Sequence, residues 1–449
     1  MSAVAHSYRY LHPSAVFEGA APKLTLATAD AAGERHPYFF EGRVHDPALV
    51  AQLLATVHIV VGSRFFTPAN TVQMLIDLAD PVVTSGGGLL RFEGFSACCS
   101  TYVRADLLPT SYSGDVVGKG TTNVDFNAPM RAALARIRRD TDLALAVGRD
   151  EVTLRTGDTE VTERKVELPT RWIRGMLEVQ SYQAGMRKRL ECSSVEALQF
   201  FRSLPKASTS RTPLWIARSA SGLFTTAQAV EDGVRVTDTS RLRVLQPLLP
   251  PARSLSVFAD DAGQSSAWVL DFGTARLTLT LSAEVWRGFS GEGQGLWALM
   301  RADLARLPSA LSKVRAQLQW QAALDAQALA NEIGMERAAV DDTLRALGAS
   351  GLAGFDVFEG SYFHRVLPFD LSMMDDLHPR LADARTLAQS GAVTVIGTSP
   401  FEASVKSRDV IHRVREVEGA LHCTCPWFAK HQGERGPCKH ALAAGSLRP

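Results

Sequence analysis

The chain has 449 residues, with 48 Lys and Arg against 47 Asp and Glu, and 46% of its residues are hydrophobic. A net charge of +1 excludes a molecule-wide pull on nucleic acid or anionic membrane, so any such pull is local. No apolar run reaches the roughly 18–20 residues of a membrane span. Six cysteines are too few for a disulfide framework at this length, and about two to four domains are expected.

The opening MSAVAHSYRYLHPS lacks the basic segment and apolar core of a signal peptide, so a cytoplasmic protein is expected. The segment 1–124 reads as an α/β region. HDPALVAQLLATVHIVVGSRFF carries a cap and first-turn pair, Asp46-Pro47, and apolar residues at helical spacing. FTPANTVQMLIDLAD reads as a second helix, and SGGGLLRFEGFSACCSTYV as hairpin-like strands.

The segment 125–296 reads as α+β with substantial sheet. APMRAALARI is a short helix, and LALAVGRDEVTLRT is two strands about a polar turn. KVELPTRWIRGMLEVQ is a strand, a break at Pro169 and a short helix. VFADDAGQSSAWVLDFGTARLTLTLS alternates apolar and polar residues around Gly263 and Gly273, a strand signal. PLLPPARS at 247–254 suits an internal boundary or a loop. The run of strands after short helices also resembles clamp-like α+β folds.

The segment 297–372 is helical and then hairpin-like. DAQALANEIG and MERAAVDDTLRALGASG are two short helices about a turn, and LAGFDVFEGSYFHRVLPF is two strands around Glu359-Gly360. That order suits a winged helix-turn-helix with Leu329, Ile333, Val340, Leu344 and Leu347 in its core. From Ala316 to Phe369 there are three Arg or Lys against seven Asp or Glu. An acidic winged helix suits protein docking or dimerisation better than phosphate contact.

The last segment, 391–449, holds half of the cysteines. VIHRVREV reads as a strand, Glu418-Gly419 as a turn, and the next strand carries Cys423 and Cys425. Side chains two apart on a strand point the same way, so both thiols aim at one point, and Pro426 then stops the ladder. Twelve residues later comes Cys438, after the turn formers Gly436-Pro437 and before a helix start, HALAAG. Cys438 just before that helix and His440 in its first turn converge, which completes a Cys3His set suited to one structural Zn2+. The C-x-C-P-W order lacks the C-x-x-C spacing of a redox pair. His422 and His431 are the substitute ligands.

This C-x-C-x12-C-x-H pattern, with a hairpin before it and a helix after it, resembles the SWIM zinc finger. The resemblance implies Cys423, Cys425, Cys438 and His440 as ligands in a ββα unit that binds DNA or proteins. HPYFFEG, DPVVTSGGGLLRFEGFSACCSTY, GKGTTNVDFNAPMRAALARI and LPTRWIRGMLEVQ resemble bacterial SWIM zinc finger proteins. Their genes often neighbour a MoxR-type AAA+ ATPase and a von Willebrand A-domain protein. That likeness implies such partners and a part in an ATPase-driven metal-insertion, chaperone-like or defence-type assembly.

From Phe401 to Pro449 there are eight Lys or Arg and five Asp or Glu. Lys406, Arg408, Arg413 and Arg415 lie on the hairpin, Lys430, Arg435 and Lys439 flank the metal loop, and Trp427 and Phe428 suit base stacking. They suit equally a solvated surface whose aromatics pack a small core. Arg131, Arg136, Arg138 and Arg139, with Arg171, Arg174, Arg187, Lys188 and Arg189, form a second basic region that also suits a solvated face. Cys98-Cys99 is the best candidate nucleophile, with His36, His45 and His58 in the same half, but adjacent cysteines in an apolar strand suit a core. Asp125 and Asn127 suit a cation site or turn hydrogen bonds. GKGTTN lacks P-loop spacing. The sequence is therefore expected to encode a mixed α+β, multi-domain, zinc-binding, non-enzymatic interaction protein. The alternatives are a DNA- or RNA-binding protein, or a hydrolase or transferase with its site in the N-terminal half.

Overall fold

A computed structural model describes residues 11–12, 15–17, 23–26, 38–66, 81–114, 119–123, 128–148, 150–151, 153–156, 159–162, 170–205, 212–303, 308–367 and 374–448. The helix expected at FTPANTVQMLIDLAD, the strand before Pro169, His36, Asp125 and Asn127 all lie outside the described residues. The fold is mixed α+β and multi-domain, and among the described residues no helix is long and apolar enough to cross a membrane.

Eight strands form the central antiparallel sheet. In chain order they are β1 (Val82–Gly86), β2 (Leu89–Phe95), β3 (Thr101–Leu107), β4 (Gly120–Asn123), β5 (Arg187–Ser193), β6 (Ser254–Ala259), β7 (Ser265–Asp271) and β8 (Ala275–Ser282). Their order across the sheet is β5-β6-β7-β8-β3-β2-β1-β4. The boundary expected at 124/125 therefore runs through this sheet, and one apolar core holds residues from both sides of it.

Alternation gives the sheet two unlike faces. Phe92, Val103, Ala105, Leu277 and Leu279 share one, whereas Arg91, Glu93, Arg104, Asp106, Thr278 and Thr280 share the other. Helix α1 (Pro47–Gly62) covers the apolar face. Asp46 caps it by accepting from the Leu49 N–H at 3.0 Å, and Pro47 sits in its first turn. Leu53, Leu54, Val57 and Val60 are fully buried, each worth roughly 1.5–3 kcal/mol of burial. Gly94 lets α1 approach, since a Cβ there would lie 2.5 Å from Val61 Cγ2.

The polar face is covered too. Helix α2 (Thr170–Gln183) lies on it at Phe95, where Gly175 leaves room for the ring. A later segment follows: α3 (Ala326–Ile333), α4 (Arg337–Ala349), β9 (Ala353–Asp356) and β10 (Ser361–His364). Helix, three-residue turn, helix and hairpin occur in that order. Asp325 caps α3 and Gly334 ends it at φ 65°. Leu329, Val340, Leu344 and Leu347 are buried in one cluster, with Ile333 packed against it.

The hairpin is docked on the sheet. Asp356 is buried 3.0 Å from both Arg91 Nη1 and Arg104 Nη2, and Arg104 Nη1 donates to the Phe355 carbonyl at 2.8 Å. Arg365 pairs with Glu93 at 2.6 Å, and Glu93 accepts from the Tyr102 hydroxyl at 2.5 Å. Burial opposes the charge on Asp356, yet Arg104 and Arg91 hold its carboxyl well below the usual carboxylate range.

Candidate metal centre

The C-terminal module is a four-stranded sheet with helices on one side. Its strands are β11 (Val393–Thr398), β12 (Phe401–Ser407), β13 (Val410–Val417) and β14 (Ala420–Cys423), paired in that order. Before them lies α5 (Pro379–Gln389), and after them α6 (Pro426–His431) and α7 (Lys439–Gly445). The simple hairpin-plus-helix unit expected from the sequence is thus part of a larger module.

Cys423 ends β14 with its side chain on the buried face, beside Val414. Cys425 does not lie on that strand. It caps α6, its Sγ accepting from the Phe428 N–H at 3.4 Å, with Pro426 in the first turn. A proline one residue past a cap starts a helix as readily as it ends a ladder. Cys438 caps α7 in the same way, accepting from the Ala441 N–H at 3.3 Å, and His440 lies in the first turn as expected. The four donor atoms all lie within 4.8 Å of one another, and all four residues are buried. The His440 Nδ1 is 3.9 Å from Cys423 Sγ.

Donor chemistry fits one zinc ion. A tetrahedral site with bonds of about 2.0–2.3 Å has edges under about 4 Å, so a small contraction suffices. A dication there would bind all three sulfurs as thiolates, with the His440 imidazole as the fourth donor. His422 is exposed and packs against Phe428, while His431 lies against the Trp427 ring; neither joins the cluster.

Helix α7 is buried on two sides. Ala441 and Ala444 face the module's own sheet, whereas Leu442 and Ala443 pack with Leu381 and Ala384 of α5 and with Leu296 and Leu299 of the body. Small residues permit this, and Trp297 lies where a side chain on Gly445 would project. The metal loop is docked as well. Arg380 donates to the carbonyls of Arg435 and Pro437 at 2.9 Å each and to that of Glu292 at 3.1 Å. Arg287 bonds the Glu434 carbonyl at 2.7 Å. Gly436, at φ 77°, touches Gly293, and any side chain there would strike its carbonyl.

The basic and aromatic residues singled out from the sequence divide accordingly. Trp427 lies under Arg380, whose Cζ is 4.7 Å from the ring; Arg435 donates to the Gly291 carbonyl; Lys439 pairs with Asp383 at 2.9 Å. These three face the body. Lys406, Arg413 and Arg415 lie on the outer face of the sheet, Arg408 at the β12–β13 turn and Lys430 on α6, all exposed. Arg413 and Arg415 both pair with Glu402.

Sequence reasoning missed the cleft beside the metal site. Its volume is about 440 Å³, and it is lined by Cys425, Cys438 and His440 together with Arg174, Glu178 and His378. Burial pushes the Glu178 carboxyl up to about 7 and the His378 imidazole down to about 4. Cys99 is buried and its thiol pushed up to about 12 by that burial. Cys98 is half-buried. Burial opposes its charge, yet hydrogen bonds from Ser100 and Ser96 hold its thiol below the ordinary value. Those hydroxyls lie 3.2 and 3.5 Å from the sulfur. His45 instead contacts the Thr110 carbonyl, and His58 lies near Arg131.

A site of three cysteines and one histidine, closed and capped by helix starts, defines the structural zinc-finger class. Within that class, residues 415–444 match the family model of the SWIM zinc finger. No curated protein matches the chain. Among solved structures, a proliferating cellular nuclear antigen from Entamoeba histolytica is similar at 12% identity and a TM-score of 0.35, covering 55% of this chain and 98% of that one. Caulobacter crescentus pol III beta is similar at 11% identity and a TM-score of 0.34, covering 86% of each chain.

Proposed function

We propose that the chain is a non-catalytic interaction subunit whose zinc ion fastens the C-terminal sheet to the body and whose outer sheet face meets a protein partner. One observation carries this. The inner face and the metal loop are consumed by docking, so the outer face, with Lys406, Arg413, Arg415, His422 and a 69% exposed Ile411, is what the module offers. An acidic partner surface suits it, and the MoxR-type ATPase and von Willebrand A-domain protein implied by the sequence resemblance are the partners to try. The winged-helix-like segment supports the reading: its hairpin is spent on the central sheet, and Arg337 and Arg345 pair with their own helix's Asp341 and Asp342. Among the described residues Cys98 is held by serine hydroxyls and not by a histidine, which supports a non-catalytic role.

Nucleic-acid binding is the second reading, favoured by the basic outer face alone. Anisotropy of labelled single- and double-stranded DNA against zinc-loaded protein decides between them. The expected result is that any signal at roughly 50–150 mM salt is left unchanged by charge reversal at Arg413 and Arg415. Binding in that range that this reversal weakens, and that falls steeply as salt rises, would install the second reading.

A further inference from the structure

A second cleft, of about 510 Å³, opens where the metal loop meets the body, away from the outer face of the module's sheet. The body contributes Arg64, Cys98, Arg171, Trp286 and Arg287, and the loop contributes His431 and Arg435. Among the described residues no Asp or Glu lines it. Arg287 and Arg435 are compensated from behind, by Glu292 at 2.6 and 3.9 Å, and Glu434 lies 3.2 Å from Arg287. Among the described residues no carboxylate pairs with Arg64 or Arg171. Two uncompensated guanidiniums therefore share a concave wall with two more, and Trp286 stands 48% exposed at the same place.

We propose that this cleft is a phosphate-binding site. Guanidinium forks match phosphate oxygens in pairs, and a wall of cations without carboxylates selects an anion. The exposed indole offers a stacking surface for a base joined to that phosphate. The metal loop supplies His431 and Arg435 to the wall, so the complete site exists only while the module is docked. The phosphate comes either free or as the phosphodiester of a single strand.

The test titrates the zinc-loaded full chain with inorganic phosphate by calorimetry at constant ionic strength, with chloride as control, and with labelled oligothymidylate by anisotropy. The expected result is a saturable phosphate signal that chloride does not give and that Arg64→Gln and Arg171→Gln each weaken about tenfold or more, the scale of one lost charge-assisted contact. Neither residue is buried, so both variants should fold, and their zinc content verifies it. An oligonucleotide held over tenfold more tightly than phosphate, roughly one charge-assisted contact more, marks the phosphodiester as the source; equal or weaker binding marks an isolated phosphate. No saturable signal from either probe, or signals that both variants leave unchanged, overturns the proposal.

Discussion

Glu178 shows how far one side chain can couple this molecule to pH. It is fully buried, accepts one hydrogen bond from the Gly295 N–H at 3.1 Å, and leaves its other oxygen without a partner. Its folded value of about 7 stands above the ordinary carboxylate value, so the folded state keeps a proton that the unfolded chain gives up near pH 4.5. The stabilisation is fully present below pH 4.5 and is lost as pH rises through 7, by up to about 3 kcal/mol. Glu178→Gln should flatten this, gaining on the parent at pH 8 but not at pH 4.5; parallel urea midpoints for the two proteins at both pH values would contradict it. At the metal site, Cys423→Ser and His440→Ala should each lose the single zinc and release the C-terminal module while the central sheet stays folded. Zinc content and limited proteolysis read both effects, and full zinc retention in the two variants would refute the ligand set. Ligation energy is folding energy in so small a module.

Among the elements, the hairpin β9–β10 most changes how the chain is understood. Asp356 pairs with Arg91 and Arg104, whose other ion-pair partner among the described residues is Asp106. Asp356→Asn should therefore cost about 3–5 kcal/mol, as when one partner of a buried ion network is removed. A shift in the urea midpoint of that size is expected, and an unchanged midpoint would show the hairpin to be loosely held. Helix α1 was legible in the sequence, because a cap, a proline and apolar spacing are local signals. So was the cysteine set, because three of the six cysteines and a histidine crowd into the short stretch 423–440, although Cys425 caps a helix and does not share the strand of Cys423. The covering of the sheet was not. The alternation in ARLTLTLS signals a strand and not what covers its polar side, where Thr278 and Thr280 are fully buried. Thr280 accepts from Gln183 Nε2 at 2.9 Å across 97 positions of sequence, and a local period is blind to that. The same limit hid the role of Pro426, which follows Cys425 as Pro47 follows Asp46 and starts a helix in both places.

At the scale of the whole molecule, zinc links three parts that sequence alone kept separate. Helix α7 joins the terminal sheet to α5 and to the helix at 295–303, while the metal loop reaches the 287–294 segment through Arg287, Arg380 and Gly436. Basic residues of the module that face inward, Arg435 and Lys439, are thereby matched by a carbonyl and a carboxylate, while the outer sheet face keeps Lys406, Arg413 and Arg415 toward solvent. Surface charges at a rim act mainly through association rate and salt dependence. Charge reversal of Arg413 and Arg415 together should slow capture of an acidic partner and remove most of its salt dependence, with stability nearly unchanged because exposed pairs contribute only about 0–1 kcal/mol each. Reversal of Arg337, on a helix whose cations are matched by its own carboxylates, should leave capture as it was. Surface plasmon resonance against the candidate ATPase at several ionic strengths measures both. The opposite ranking, with Arg337 dominant, would move the partner surface from the zinc module to the winged-helix-like segment.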